Sequence, residues 1–159
     1  MNKMVYFALM AAVAAVAAAL LLLVSCNDKI DVNREYDFAL SCWHLPSEIV
    51  PGERVEIRFT LTRQGDFKGA EYYIGYIQLK GKGEVSDSQG TLLGNRELYE
   101  LRAMPGLDGS DPCRQVFTLY YTATSDKQSE VRFVVVDNFG RERKLEVSFD
   151  SGRKNDTTQ

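Results

Sequence analysis

Apolar and polar residues alternate in several short runs along the chain, and this period of two is typical of β-strands. The clearest run covers residues 54–62, and similar runs cover residues 36–42, 115–123 and 144–149. In each run one parity is predicted to face a core and the other to face water. The apolar positions of the four runs are Tyr36, Phe38, Leu40, Cys42, Val55, Ile57, Phe59, Leu61, Phe117, Leu119, Tyr121, Leu145, Val147 and Phe149.

Two further segments are apolar on both parities. Residues 71–80 (EYYIGYIQLK) are rich in aromatic and β-branched side chains and contain Gly75, a combination that disfavours a helix. They predict a central strand covered on both faces, or a strand with an exposed aromatic strip. Residues 131–136 form a dense apolar run, which predicts a buried strand.

Turn signals separate these segments. Glycines within residues 81–90 allow one short hairpin, and Gly140 ends a predicted turn because it can adopt a positive φ. Residues 96–104 fit either a strand or a helical turn, and the β-rich surroundings favour a strand. Residues 105–112 carry Pro, Gly and Asp and are predicted to be a loop.

The spacing of these elements predicts the fold class. About seven short strands with turns between them are typical of an all-β protein, an antiparallel β-sandwich. The domain is expected to span residues 36–150, with a flexible polar tail at residues 151–159. At this length a domain can bury about two-thirds of its unfolded surface, which is enough for one core.

The chain starts with a long apolar run. Met4–Val24 carries no charge and follows Lys3, a pattern typical of an export signal. At ~1.5 Å per residue the run could also span a bilayer, so an uncleaved anchor is an alternative. The alanine content of the run and the small residues before Cys26 favour cleavage. Everything after residue 26 is expected outside the cytoplasm in either case.

Leu23-Val24-Ser25-Cys26 resembles the lipobox of bacterial lipoproteins. In that motif a small residue precedes the cleavage site, and the cysteine thiol accepts a diacylglycerol. The sequence therefore predicts a signal peptide at residues 1–25, lipidation of Cys26 and a polar tether at residues 26–35. Acyl chains contribute ~0.8 kcal/mol per buried CH₂, so an acylated Cys26 would hold the domain on a membrane.

Charge and cysteine content refine the picture. Lys3 is the single charged residue of the signal, so 18 basic and 22 acidic residues remain in the mature chain, for a net charge of −4. This balance argues against a nucleic-acid partner. Cys42 and Cys113 form an even pair in an oxidising compartment. A disulfide would close a loop of about 70 residues and contribute ~4 kcal/mol; two separate buried thiols are the alternative.

No set of side chains predicts catalysis. His44 is the single histidine, which leaves no basis for a catalytic triad or a histidine-rich metal site. No cofactor, metal or small-molecule ligand is expected. Trp43, Tyr72 and Tyr76 are the candidates for an exposed interaction surface, for a sugar or a protein, and packed core residues are the alternative.

A wider pattern points to a family. Tyr36-Asp37-Phe38 is followed in order by Pro51-Gly52-Glu53, Gly65-Asp66-Phe67, Leu119-Tyr120-Tyr121-Thr122 and Val136-Asp137-Asn138-Phe139-Gly140. In this order and spacing the chain resembles the TraQ lipoprotein family of conjugative transposons, over residues 27–150. The resemblance implies an immunoglobulin-like sandwich in the envelope of a Gram-negative bacterium, and a gene that travels with a conjugation apparatus. It implies no catalytic residues.

These observations lead to one functional hypothesis with two alternatives. The protein is expected to be a non-enzymatic lipoprotein, held on the membrane by Cys26, that binds protein partners of the conjugation apparatus or the envelope. Asn27 favours the outer membrane, because inner-membrane retention in some bacteria uses an aspartate at that place. A glycan-binding surface lipoprotein and an envelope hydrolase are the alternatives, since fold alone does not determine function.

Overall fold

A computed structural model describes residues 37–152. Within this range the chain forms strands and one short 3₁₀ helix (Leu101–Ala103). The strands are β1 (Phe38–Cys42), β2 (Glu48–Ile49), β3 (Arg54–Arg63), β4 (Tyr72–Lys80), β5 (Gly83–Ser86), β6 (Leu92–Leu93), β7 (Leu98–Glu100), β8 (Asp108–Asp111), β9 (Arg114–Ala123), β10 (Ser129–Asp137) and β11 (Glu142–Ser151). The predicted signal peptide, Cys26 and the tether lie outside the described residues.

The strands form two sheets. The first has the order β1-β3-β9-β5-β6, with β8 also paired to β9, and the second has the order β2-β11-β10-β4-β7. All pairs are antiparallel except β2 with β11. The two sheets confirm the predicted all-β, immunoglobulin-like sandwich. More strands are present than the predicted seven, because two-residue strands such as β2 and β6 are too short to produce an alternating pattern.

Aromatic contacts join the two sheets. Phe59 of β3 meets Phe133 of β10 edge-on, with ring centroids 4.8 Å apart, and Tyr121 of β9 stacks on Phe149 of β11 at 5.5 Å. All four side chains are almost fully buried. The apolar parity of each predicted strand therefore faces the space between the sheets, as the alternation predicted.

Three predicted segments differ in part from the structure. Residues 108–111, predicted as loop, form β8 against β9 although all four residues are exposed. Exposed polar residues give no alternation, so this strand could not be found from the sequence. Residues 98–103 contain both alternatives considered there, since β7 runs directly into the 3₁₀ helix. Ser151, predicted to be in the tail, is the last residue of β11 and pairs with Ile49 of β2.

Two hairpin turns share the same sequence pattern and the same hydrogen bonds. In each, an aspartate precedes a glycine of positive φ by three residues: Asp87 with Gly90 (φ 88°) and Asp137 with Gly140 (φ 84°). Oδ1 of Asp137 accepts hydrogen bonds from the N–H groups of Phe139 (3.0 Å) and Arg141 (2.8 Å). Oδ1 of Asp87 accepts the equivalent pair, two and four residues further on. Both carboxylates are buried, so hydrogen bonds that are shielded from water stabilise the two turns.

We expect Asp137→Ala to lower the free energy of unfolding by about 1–2 kcal/mol, because two backbone N–H groups lose their acceptor. Urea denaturation followed by circular dichroism measures the change. Asp126→Ala, at an exposed loop position, is the matched control and should leave stability unchanged. Equal stability of the two variants would contradict this account of the turn.

Candidate functional site

The predicted aromatic surface does not form. Tyr72 and Tyr76 lie on the inward parity of β4 and are only 6% and 5% exposed. The Tyr72 ring packs edge-on against Phe38 at 5.1 Å, and Tyr76 Oη donates to the carbonyl of Leu93 at 3.3 Å. Burial is the main cause that raises the pKa of each phenol. The prediction that these two residues face a partner is wrong, because strand parity turns both toward the core.

Trp43 is exposed, but it lies elsewhere. It follows β1 at the edge of the first sheet, its backbone N–H donates to the carbonyl of Arg58, and the residue is 61% exposed. The guanidinium of Arg58 lies 5.5 Å from the ring centroid. With two of the three predicted aromatic residues buried in the second sheet, the sugar platform considered from the sequence loses its basis.

Cys42 and Cys113 are both free thiols. Cys42 pairs with Phe59 on one side of β3, whereas the carbonyl of Cys113 accepts from the N–H of Arg63 on the other side. Phe59 and Arg63 are four residues apart, ~13 Å along the strand, and the two neighbouring strands are ~10 Å apart. A disulfide needs Cα atoms within ~7 Å. The possible bridge is therefore not formed in this register, which leaves the alternative of two separate thiols.

The outer face of the second sheet carries an apolar concavity. Its floor comes from β4 and β10, where Gly75 pairs with Val134 and Ile77 pairs with Arg132. Leu98 of β7 forms one wall, and its side chain is 54% exposed. The concavity has a volume of about 470 Å³ and is lined by Gly75, Tyr76, Ile77, Leu79, Arg96, Glu97, Leu98, Arg132, Val134, Val136 and Glu142.

Gly75 makes this arrangement possible. A Cβ at this position would lie 2.3 Å from the backbone oxygen of Glu97, a distance that real Cβ atoms do not adopt. The absence of a side chain therefore allows the chain before β7 to lie close against β4. Arg96, with φ 71°, turns the chain there, and its N–H donates to the carbonyl of Tyr76 at 2.8 Å. This backbone path places Leu98 over the sheet.

Hydrogen bonds fix the loop that carries Leu98. The N–H of Gly94 donates to Tyr99 Oη at 2.7 Å, and that hydroxyl donates to the Glu97 carboxylate at 2.7 Å. The Gly94 N–H lowers the pKa of Tyr99, but hydrogen bonding to Glu97, partial burial and the Glu97 charge together raise it above its ordinary value. Tyr99 thus stays a donor at neutral pH, and the wall of the concavity is held in place.

Charged groups rim the concavity, and several are paired. Nε and Nη2 of Arg132 both approach Oε1 of Glu146, at 2.8 Å and 2.6 Å. Lys144 lies 3.4 Å from Glu142. An apolar centre with a polar, ion-paired rim is the usual anatomy of a protein–protein contact surface. Among residues 37–152, no three His, Cys, Asp or Glu side chains gather in a way that could hold a metal ion.

Apart from Tyr76, the residues of the concavity were not among the sequence predictions. One signal could have indicated them, because residues 71–80 and 131–136 are apolar on both parities. When two such strands are neighbours in a sheet, one face is buried in the core and the other presents apolar side chains to the outside. The pairing of β4 with β10 depends on tertiary structure, and so does the approach of Leu98 to Gly75.

Comparison with known proteins finds one family and several solved structures that are similar to this chain. The family described as TraQ conjugal transfer protein matches residues 9–152. A conjugative transposon lipoprotein from Bacteroides eggerthii is similar in structure, with 33% identity, 70% of this chain and 95% of that chain covered, and a TM-score of 0.59. No curated protein matches the chain.

Two further solved structures are similar. A lipoprotein from Bacteroides thetaiotaomicron has 33% identity, covers 81% of this chain and 90% of its own, and has a TM-score of 0.58. A conjugate transposon protein from Bacteroides vulgatus has 29% identity, covers 80% of this chain and 95% of its own, and has a TM-score of 0.59. Within the described part of this chain, no helix is long and apolar enough to cross a membrane.

We expect the Cys42 thiol to react slowly. Burial raises its pKa, so at neutral pH less of it is thiolate than in a free cysteine, and its alkylation rate should keep rising as the pH increases past the ordinary thiol range. A Cys26→Ser, Cys113→Ser variant isolates this thiol, and iodoacetamide labelling of native and urea-unfolded protein gives the two rates. Equal rates, or a Cys42–Cys113 disulfide peptide in the mass spectrum of the exported protein, would contradict this prediction.

Proposed function

The chain belongs to the TraQ conjugal transfer protein family, and from this premise we propose that it is a non-enzymatic, lipid-anchored interaction component of a conjugative transposon's transfer apparatus. Association with conjugation follows from the family. The finer role is supported by the concavity on the second sheet, whose apolar centre and charged rim suit the binding of a protein partner.

Anchoring rests on the sequence around Cys26. Leu23-Val24-Ser25-Cys26 follows an apolar signal in the order that lipidation requires, and the relatives from B. eggerthii and B. thetaiotaomicron are lipoproteins. In this proposal the acyl chains on Cys26 hold the domain at a membrane of the cell envelope, with the outer membrane favoured. The anchor raises the local concentration of the domain near envelope partners.

The contact surface is the concavity walled by Leu98. Apolar side chains that are exposed in a shallow pocket and surrounded by charged groups have the properties of binding hot spots. A fitting partner is a protein segment with a large apolar side chain, flanked by acidic groups that can approach Arg96 and by polar groups that can join the Arg132–Glu146 pair. Binding would cover Leu98, Ile77 and Val136 and remove their apolar surface from water.

We expect Cys26→Ala to prevent lipid attachment and cleavage before residue 26, because the thiol that accepts the lipid is lost. Labelling of cells with radioactive palmitate and the gel mobility of the protein compare the wild type with the variant, and globomycin treatment of the wild type should cause accumulation of the unprocessed form. Separation of inner and outer membranes then assigns the wild type to one of them. A wild type that takes up no palmitate, or whose gel mobility is unchanged by globomycin, would contradict lipidation and favour an uncleaved anchor.

We expect Leu98→Asp to abolish partner binding while the domain stays folded. A charge in the apolar wall should weaken the complex by about tenfold or more, the scale of a hot-spot residue. Leu92→Asp is the matched control, because Leu92 is a leucine of similar exposure, 59%, on the other sheet. Cross-linking and pull-down from mating cells, together with transfer frequency, compare the two.

Support requires that an identified transfer or envelope protein is recovered with wild type and Leu92→Asp and is lost with Leu98→Asp. Transfer frequency should fall in the same variant. Recovery of no such protein, or an unchanged transfer frequency after deletion of the gene, would contradict the proposed role. Equal binding by the two aspartate variants would contradict the choice of surface.

A further inference from the structure

The chain enters the sandwich at one end, and the loops of that end can be identified. Phe38, the first residue of β1, pairs with Arg63, the last residue of β3. β10 ends there too, because Asp137 pairs with Tyr72 at the start of β4, and the Tyr72 ring contacts Phe38. The segment after β3 (residues 64–71) and the β10–β11 turn (residues 138–141) therefore lie at the entry end.

This end presents two phenylalanines. Phe139 occupies the tip of the β10–β11 turn and is 37% exposed, and its ring packs against Phe67 with centroids 5.6 Å apart. Asn138 fixes the turn to the neighbouring loop: its Nδ2 donates to the carbonyl of Gly69 at 2.9 Å, and its Oδ1 accepts from the N–H of Glu71 at 3.0 Å. The aromatic pair is thus held at the end of the domain by hydrogen bonds between both loops.

The length of chain before this end limits its distance from the membrane. Asp37 follows Cys26 by eleven positions in the sequence, and this length of chain can span at most ~40 Å when fully extended. An attachment at Cys26 therefore limits how far the entry end can lie from the bilayer. The strands add ~30 Å between the two ends, since β3 and β9 each contain ten residues.

Resting on the lipid anchor in the proposed function, we propose that the Phe67–Phe139 pair contacts the bilayer surface and orients the domain with its strands pointing away from the membrane. Aromatic rings are favoured at the level of lipid headgroups. Lys68, exposed beside Phe67, can reach headgroup phosphates, while Asp66 balances its charge. The contact therefore depends on the rings rather than on attraction to anionic lipid. Weak affinity suffices, because the anchor keeps the effective concentration high.

Tryptophan reporters test this orientation. The full lipidated protein carries Trp43→Phe together with either Phe139→Trp at the entry end or Asp126→Trp at the opposite end, where Asp126 lies exposed between β9 and β10. Both proteins are reconstituted into vesicles of phosphatidylethanolamine and phosphatidylglycerol that contain brominated phosphatidylcholine. Lys68→Trp, in the neighbouring loop, serves as a second entry-end reporter if Phe139→Trp fails to fold.

The entry-end indole should lose most of its fluorescence and shift to shorter wavelength, and the loss should persist at high salt and without phosphatidylglycerol. The indole introduced at residue 126 should keep its fluorescence. An anchored protein whose entry-end indole is not quenched, or whose two indoles are quenched equally, would overturn this inference and leave the proposed function intact. A protein that does not float with the vesicles would remove the anchor and this inference together.

Discussion

The packing of Phe59 against Phe133 between the two sheets is the contact on which the rest of the structure depends. It requires β3 and β10 to present one fixed parity to the core, and the registers of the neighbouring strands then follow pair by pair. A one-residue slip in either strand would replace a buried ring with a side chain from the outer parity. The same parity that buries Phe133 turns Val134 outward, so the core and the outer concavity are specified together.

Strand parity also explains which sequence predictions were right and which were wrong. On β3, charged and threonine residues alternate with Val55, Ile57, Phe59 and Leu61, so only one assignment of faces was available, and the structure confirms it. On β4 both parities are apolar, so the sequence could not decide between Tyr72 and Tyr73 as the exposed residue. The phenol at residue 72 contacts Phe38 from the other sheet, a relation that exists only after folding.

The remaining differences come from long-range placement. The distance between Cys42 and Cys113 depends on the strand order β1-β3-β9. The two cysteines lie on opposite sides of β3, and their neighbours on β3 are four residues apart. Leu98 becomes a wall of the concavity because Gly75 lets the chain before β7 lie close against β4, and no local pattern near residue 98 encodes that approach. In the sequence, Gly75 indicated only that a helix is disfavoured. In the fold, the same glycine leaves room for the chain that carries Leu98.

The two proposed contacts lie on different surfaces of the same domain. The Phe67–Phe139 pair lies at the entry end of the strands, while the concavity opens on the side of the second sheet. A partner held at Leu98 would therefore lie beside the domain, parallel to the membrane, rather than above it. Because the concavity is flanked by the edge strand β7, whose three residues pair with β4 on one side only, a partner could approach it laterally without displacing the loops at the entry end. The two proposed contacts can therefore form at the same time, and we expect substitutions at one to leave the other unchanged.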